Sequence, residues 1–212
     1  MSVTTTTPEA TGEPSGKGAQ TRQTVLDAAI ARFGRDGYRG TSVADIARDA
    51  GVGGTVTYAY FPNKEALFMA AVDADAAGVI GEGLSSILAA DQSGDGATLV
   101  DWRQTLTFTM LEAVERHPLA KRLLGGLEPE VTARVLEIPA LADLRVACAE
   151  RLRADQATGR VRADLDPDTI ANGLIAIILS LLMSMVQLGG DVTAHYADDV
   201  TAVFGAALDP PR

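Results

Sequence analysis

The stretch "AGVGGTVTYAYFPNKEALF", residues Ala50 to Phe68, decides the fold of this chain. Between Thr55 and Phe61 the residues are β-branched or aromatic apart from one alanine, and this composition by itself favours a strand. A strand needs a partner, however, and no other segment shows the alternating pattern that is typical of one. We therefore predict a short helix here, whose outward side chains suit a binding partner rather than helix propensity.

Helical patterns precede this segment. Apolar residues recur with helical spacing from Thr21 to Gly37, where a glycine favours a left-handed helix end. The next residues predict Thr41 as the N-terminal cap of a helix that runs to about Asp49, with Gly51 as its left-handed end. Two short helices joined by a tight turn containing glycine are typical of a helix-turn-helix.

The rest of the chain also predicts helices. Asn63 starts a helix that runs from Lys64 to about Ile80, and a short piece near 130 is expected to end at Pro139. Further helices are expected at about 99–115, 119–127, 141–159, 168–188 and 195–208. The fold class is therefore all-α, with a three-helix helix-turn-helix domain at residues 21–66. A disordered tail at 1–20 precedes it, and a larger helical domain at 67–212 follows.

The charge distribution agrees with a nucleic acid partner. The net charge is -10, yet residues 17–64 carry seven basic and four acidic residues, a net of +3. A basic segment on an acidic chain favours a nucleic acid partner for this segment, and chance variation along a solvated surface is the alternative. The single cysteine excludes an intrachain disulfide, and no apolar stretch follows Met1. We therefore expect a cytoplasmic protein.

The first helices resemble a known domain. The run "TSVADIARDAGVGGTVTYAYFPNKEAL", preceded by "TVLDAAIARFGRDGYRG", is similar to the DNA-binding domain of the tetracycline-repressor (TetR) family over residues 22 to about 72. The family's usual order of a threonine followed by an apolar residue is reversed here as Val56-Thr57. Either Thr57 packs inward and bonds a backbone carbonyl, or the helix is rotated or shortened. Which of Val56 and Thr57 contacts a base therefore stays open.

The DNA contacts follow from this helix and from the resemblance. Small or β-branched residues of the helix are expected to meet base edges and phosphates, and the resemblance implies phosphate contacts from hydroxyl groups and a lysine. The predicted DNA-binding residues are Thr41, Ser42, Gly53, Gly54, Thr55, Val56, Thr57, Tyr58, Tyr60 and Lys64. Simple packing of Tyr58 against the first helix is the plain alternative for that residue.

The segment "LIAIILSLLMSMVQL" is apolar enough to be tested as a membrane span. Polar residues interrupt it and both of its flanks lack lysine and arginine, so a buried helix is the better interpretation. Ala176, Ser180 and Ser184 form a narrow strip along this helix that another helix can approach closely. We predict a homodimer through the helices Asp168–Leu188 and His195–Leu208, as the resemblance also implies.

The resemblance further implies a small-molecule pocket in the C-terminal domain. Its predicted walls are Trp102, Thr105, Leu106, Phe108, Thr109, Met110, Leu123, Leu144, Cys148, Ile178 and Met183. Ordinary core packing is the alternative for each of them. With two histidines and one cysteine we find no catalytic or metal-ligand constellation, and we predict no cofactor and no enzymatic activity.

The predicted function is that of a transcriptional regulator, a repressor that binds a palindromic double-stranded DNA operator as a dimer. By resemblance, a small molecule releases it by favouring a tilt of the helix that starts at Lys64. Two alternatives remain open at this point. One is a DNA-binding helical protein without an inducer, and the other is a helical enzyme on the same fold.

Overall fold

The computed structural model describes residues 16–92, 101–132 and 137–210, and these residues form ten helices and no strand. The helices are α1 Gly16–Gly40, α2 Val43–Asp49, α3 Gly54–Tyr60, α4 Lys64–Gln92, α5 Trp102–Arg116, α6 Pro118–Leu124, α7 Pro129–Thr132, α8 Pro139–Ala157, α9 Pro167–Leu188 and α10 Gly190–Leu208. The all-α prediction is confirmed. We call residues 16–72 the head and the remaining described residues the body.

Helix α1 begins earlier than the sequence predicted. It starts at Gly16, so residues 16–20 are helical rather than part of a disordered tail, while residues 1–15 lie outside the described residues. Lys17, Ala19 and Gln20 are good helix formers and favour this extension, although Gly16 and Gly18 are not. Near its other end α1 is kinked at Gly37, whose φ of 74° is the left-handed conformation that the sequence predicted.

The cap of α2 differs from the prediction by one residue. Ser42, in an extended conformation, accepts the amide of Asp45 at 3.1 Å, and its hydroxyl donates to Oδ2 of Asp45 at 2.6 Å. Thr41 is buried and donates its hydroxyl to the carbonyl of Gly37 at 2.8 Å. The prediction of Thr41 as the cap is therefore wrong, because the kink at Gly37 occupies its hydroxyl. The left-handed Gly51, with φ of 66°, is confirmed.

One hydrophobic cluster, the head core, holds the first helices together. It includes Phe33, Ile46 and Phe61 from α1, α2 and the end of α3, and Leu67 and Phe68 from α4. The rings of Phe33 and Phe68 meet edge to face with centroids 4.9 Å apart. The head core also contains two residues from the body, Leu119 and Leu123 of α6.

Helix α4 connects the head to the body. The sequence predicted its end near Ile80, but the helix continues to Gln92. The glycines after Ile80 do not end it, because one of them makes a close helix contact instead. A Cβ at Gly83 would lie 2.9 Å from Leu106 Cδ1 and 3.0 Å from Met110 Cγ, so glycine lets α5 pack closely against α4.

The body packs around a second hydrophobic cluster that α4, α5, α8, α9 and α10 share. Pro139 begins α8, slightly earlier than the predicted start near 141, because a proline at the first helical position loses no hydrogen bond. Residues 133–136, which precede the predicted end of the short piece near 130, lie outside the described residues. Asp166 caps α9 as expected and accepts the amide of Thr169 at 2.8 Å.

Helix α9 is long and apolar enough to cross a membrane, with a mean hydropathy of 2.1, and 33% of its most apolar window is buried. Its inner side, including Leu174, Ile178 and Leu182, belongs to the core of the body. Ala176, Ile177 and Ser180 are exposed. One side of α9 therefore packs in the core of the body, and among the described residues nothing covers the other side.

Candidate DNA-binding site

The candidate DNA-binding site is the outer face of α3. The left-handed Gly51 turns the chain between α2 and α3, and Gly53 precedes α3 with an extended conformation and no side-chain cap. Thr55 to Tyr60 are helical, which confirms the interpretation of this segment as a helix. The β-branched and aromatic residues of this helix are therefore arranged around it, some inward and some outward.

The outward residues of α3 form a continuous exposed surface. Val56 and Tyr58 expose 40% and 53% of their area, which is high for an apolar and an aromatic side chain. Gly53, Gly54 and Thr55 are exposed beside them. This surface leaves methyl groups, a phenol and accessible backbone for a partner.

Thr57 faces the opposite way. Its exposed fraction is 0%, and no hydrogen-bond partner for its Oγ1 exists among the described residues. The open question within the Val56-Thr57 pair is thereby answered in favour of Val56 as the outward residue. Thr57 is withdrawn from the predicted DNA contacts because it is buried, and the predicted bond from its hydroxyl to a backbone carbonyl is not formed. Thr41 is withdrawn for the same reason of burial.

The remaining predicted contacts lie near the ends of the two helices. Ser42 is exposed at the start of α2, and Tyr60 is half-buried against the head core. The Nζ atom of Lys64 lies 4.3 Å from the ring centroid of Tyr38, a cation–π geometry. Arg22 lies similarly over Phe61, 4.9 Å from its centroid. Both cations therefore have their positions fixed by aromatic rings.

Most other basic residues of the head are paired with carboxylates. Arg32 donates to Asp49 at 2.6 and 3.0 Å, Arg35 donates to Asp36 at 2.9 Å, and Arg48 lies 2.9 Å from Asp45. Hydrogen bonds from Arg32 and Arg35 lower the pKa of Asp49 and Asp36 respectively. The hydrogen bond from Ser42, followed by that from Arg48, lowers the pKa of Asp45. Fewer basic side chains of the head are therefore free to meet a phosphate than the count of lysine and arginine indicates.

A buried carboxylate joins α4 to the body. Asp75, only 4% exposed, accepts the amides of Leu119 and Ala120 at the start of α6, each at 2.8 Å. Its other oxygen lies 2.8 Å from Nδ1 of His117, whose Nε2 lies 3.4 Å from Glu82. Sequence reasoning missed this group. One signal was present, because Asp75 interrupts the otherwise apolar inner stripe of α4.

A second contact joins the kink of α1 to the body. Glu128, in the connection between α6 and α7, accepts the amide of Tyr38 at 3.0 Å and Nε of Arg122 at 2.7 Å. Gly37 makes room for this pair, since a Cβ there would lie 2.7 Å from the Glu128 carboxylate. The body thus fixes the backbone of Tyr38, whose ring contacts the Lys64 ammonium group.

The body contains a small apolar cavity of about 40 Å³. Two of the predicted pocket residues, Met110 and Leu123, line it. Five others, Trp102, Leu106, Leu144, Cys148 and Ile178, are buried in the core, while Thr105, Thr109 and Met183 are half-buried and Phe108 is exposed. The indole of Trp102 donates to Asp155 at 2.9 Å, which gives that residue a structural partner. A ligand role for these nine residues stays a prediction.

Comparison with known proteins gives relatives that are DNA-binding regulators, in agreement with the helix-turn-helix of the head. Residues 25–71 match the family model of bacterial regulatory proteins of the tetR family. The HTH-type transcriptional regulator YdgC of Bacillus subtilis is 28% identical over 87% of this chain and 90% of its own length. The HTH-type transcriptional repressor AcnR of Corynebacterium jeikeium is 26% identical over 91% and 94%.

A solved structure shows the same fold. A TetR-family transcriptional regulator from Pectobacterium atrosepticum superposes with a TM-score of 0.72 at 19% identity, over 94% of this chain and 100% of that one. The helix-turn-helix with its exposed α3 and the match of residues 25–71 agree on the head, and the relatives extend the likeness through the body. The chain belongs to the tetR family of DNA-binding transcriptional regulators.

Proposed function

We propose that this regulator binds a palindromic operator as a homodimer, represses transcription there and leaves the DNA when a small molecule occupies its body. The observation that carries the proposal is the orientation of α3, which exposes Val56 and Tyr58 and buries Thr57. An exposed apolar side chain beside an exposed phenol, on a helix that follows a tight turn, suits the major groove of DNA.

The outward groups of α3 fit two kinds of DNA contact. The methyl groups of Val56 suit the C5-methyl group of thymine, an apolar contact that distinguishes one base pair from another. The hydroxyl of Tyr58 suits a phosphate oxygen, which fixes position without reading sequence. Val56 is therefore the proposed specificity residue, and Tyr58 and Lys64 are proposed phosphate contacts.

The dimer is proposed on the uncovered sides of α9 and α10. Ile177 on α9 and Val203 on α10 expose 39% and 61% of their area. The Ser180 hydroxyl already donates to the carbonyl of Ala176 at 2.9 Å, so close helix packing over this strip leaves that hydroxyl satisfied. Two such helix pairs, related by a two-fold axis, make a four-helix bundle and place two copies of α3 on one DNA face.

The ligand response is proposed to act through α4. This helix carries Lys64 at its head end and Asp75 at its contact with α6, so a ligand that changes the α4–α6 contact also moves the head. The small cavity beside this contact supports a ligand in the body. The name of the Corynebacterium relative, a repressor, supports repression as the direction of control.

Selection of DNA from a random pool, followed by fluorescence anisotropy, tests the proposed DNA contacts. We expect a palindrome whose half-sites lie about one helical turn apart. Tyr58→Ala is expected to weaken binding to every sequence, and Val56→Ala to relax the choice at one position of each half-site. Deoxyuridine in place of thymine at that position should weaken the wild type and leave Val56→Ala unchanged.

The control for these variants is Val146→Ala, on an exposed position of α8. Wild-type affinity for the selected DNA is expected from this control. Selection of no sequence, or full affinity and specificity in both α3 variants, would disprove the proposed use of α3.

Sedimentation velocity tests the dimer. Ile177→Arg and Val203→Arg place a charge in the proposed interface and are expected to give monomers, since an unpaired charge is costly to bury. Val146→Arg adds the same charge on α8 and should leave the wild-type dimer intact. A wild-type monomer at micromolar concentration, or dimers in all three variants, would contradict the proposed interface.

A further inference from the structure

We infer that the body binds a slender aliphatic chain in the 40 Å³ cavity between α4, α5, α6, α8 and α9. This inference rests on the proposed ligand response and specifies the chemical class of the ligand. The lining of the cavity is aliphatic, its volume is small, and it lies beside the contact between α4 and α6.

The lining consists of aliphatic and thioether side chains. Ala76 and Ile80 come from α4, Met110 from α5, Ala120 from α6, and Leu141 and Leu182 from α8 and α9. Among the described residues, no side-chain oxygen or nitrogen and no aromatic ring lines this cavity. A charged or hydrogen-bonding group placed inside would lose its water without gaining a partner, so the lining selects for hydrocarbon.

The size narrows the ligand further. An apolar cavity of about 150 Å³ stays dry and binds benzene, whereas a water molecule takes up about 30 Å³ of liquid. A cavity of about 40 Å³ is therefore too small for an aromatic ring and holds only the end of an alkyl chain until the lining moves. The flexible side chain of Met110 can move aside as a chain enters.

The position of the cavity connects it to the regulatory contact. Ala76 follows Asp75 on α4, and Ala120 is the residue whose amide donates to Asp75 at 2.8 Å. A chain that enters between these two alanines pushes α4 and α6 apart at their hydrogen bond. The cavity is therefore placed where the volume of a ligand acts directly on the helix that carries the head.

A larger groove between head and body is a poorer fit for a hydrocarbon. It measures about 490 Å³, but its lining includes Arg39, Arg122, Glu128 and Glu130. These charges pair with each other, Arg122 with Glu128 at 2.7 Å and Arg39 with Glu130 at 3.1 Å. The groove thus serves the contact between head and body.

Methionine methyl NMR with n-alkanols from butanol to octanol, and benzyl alcohol as the aromatic comparator, tests the inference on the full chain. The Met110 methyl resonance should shift on binding, while those of Met69 in the head and Met183 on α9 stay in place. Affinity is expected to rise with chain length by about fourfold for each methylene that the widened cavity buries, the fold-change that corresponds to about 0.8 kcal/mol per buried CH₂. Benzyl alcohol is expected to bind at least tenfold more weakly than hexanol.

A cavity-filling variant provides the second measurement. Ala76→Leu occupies the space and should reduce hexanol affinity at least tenfold, whereas Ala142→Leu, at an exposed position on α8, should leave it unchanged. If Ala76→Leu does not fold, the comparison of alkanols with benzyl alcohol on the wild type decides alone. The inference would be overturned if the Met110 resonance did not shift or if only the Met183 resonance shifted. Binding of benzyl alcohol as tightly as hexanol would also overturn it.

The outcomes separate this inference from the proposed function. If the protein binds selected DNA but no alkanol reaches Met110, the aliphatic ligand is wrong and the DNA-binding proposal stands. If alkanols bind beside Met110 and the protein selects no DNA sequence, the aliphatic site stands and the DNA-binding proposal is wrong.

Discussion

Asp75 on α4 accepts the backbone amide of Ala120 on α6 at 2.8 Å, and the accepting carboxylate is almost fully buried. The same carboxylate accepts the preceding amide and contacts His117, so it satisfies donors at the start of α6 that have no partner within the helix. A buried carboxylate at a helix N-terminus is favoured by the helix dipole as well as by these bonds. The contact between α4 and α6 is therefore specific in direction and position.

Asp75→Ala is expected to lower the free energy of unfolding by about 2–3 kcal/mol, because it leaves two buried amides without an acceptor. Asp75→Asn keeps one carbonyl oxygen and should lose less. Urea unfolding followed by circular dichroism measures both. Asp73→Ala, on the exposed side of the same helix, serves as the control and should change stability by less than about 0.5 kcal/mol. Equal effects at the two positions would show that the Asp75 contact contributes nothing specific.

Glu128→Ala is expected to lower the free energy of unfolding by about 1–2 kcal/mol, since it removes the acceptor of the Tyr38 amide and the partner of Arg122. Glu130→Ala removes an ion pair in which both side chains are exposed, and should cost less than about 0.5 kcal/mol. Thermal and urea unfolding of the two variants provide the comparison. A neutral Glu128→Ala would mean that the Glu128 contact contributes nothing to holding the head on the body.

Thr57→Val is expected to raise the free energy of unfolding by about 1 kcal/mol, because valine has nearly the shape of threonine and lacks the buried hydroxyl that has no partner. Operator affinity should stay at the wild-type value, since the residue faces the head core. The reference substitution is Thr55→Val on the exposed side of α3, where no stabilisation is expected. A loss of stability in Thr57→Val would reveal a hydrogen bond to ordered water at this position.

The salt dependence of operator binding is expected to be modest. Within the described part of the head, Lys17, Arg22 and Lys64 are the basic residues for which no carboxylate ion pair is observed. If the protein binds as the proposed dimer, three cations in each protomer give an expected slope of log affinity against log salt of about -5. Lys64→Ala should reduce its magnitude by about 2, as one contact is lost from each protomer.

Lys121→Ala, in the body, is the matched control for this measurement and should leave the slope unchanged. A slope near -10 in the wild type would mean that the paired arginines of the head exchange their carboxylates for phosphates on binding.

Cys148 is expected to resist alkylation until the protein unfolds. Burial raises the pKa of its thiol to about 12 from an ordinary value near 9, and the thiolate is the reactive form. The raised pKa leaves stability unaffected below pH 9 and lowers it as pH rises from about 9 toward 12, where only the unfolded chain ionises readily. Iodoacetamide labelling at pH 8, with and without urea, measures this. Rapid labelling of the native protein would contradict the buried position.

The sequence predicted the head more accurately than the body, and the reason is physical. Tight turns require particular residues, so the left-handed conformations of Gly37 and Gly51 follow from residue type and from their places at the ends of helical patterns. The neighbouring threonine and serine at 41 and 42 are both good caps, and only the kink at Gly37 decides between them. The orientation of Val56 and Thr57 likewise depends on how α3 packs onto α1 and α2, which local pattern does not contain.

In the body, the walls of the cavity and the filled core are built from the same types of apolar residue. Leu144 and Met110 both occupy apolar stripes, yet only Met110 lines the cavity, because the difference depends on how neighbouring helices are spaced. Asp75 and His117 could not be paired from sequence, since 42 positions separate them and their contact arises from the packing of α4 on α6. A lone acidic residue within an apolar stripe was the available signal.

The head core has a consequence for how this protein can be divided. Its apolar interior is completed by Leu67 and Phe68 from α4 and by Leu119 and Leu123 from α6, all of which follow the predicted boundary at residue 66. A fragment cut there would expose Phe33 and Ile46 to water, so the two parts are expected to melt as one cooperative unit. Chimeras that join this head to the body of another family member therefore need matching residues on α6 as well as a continuous α4.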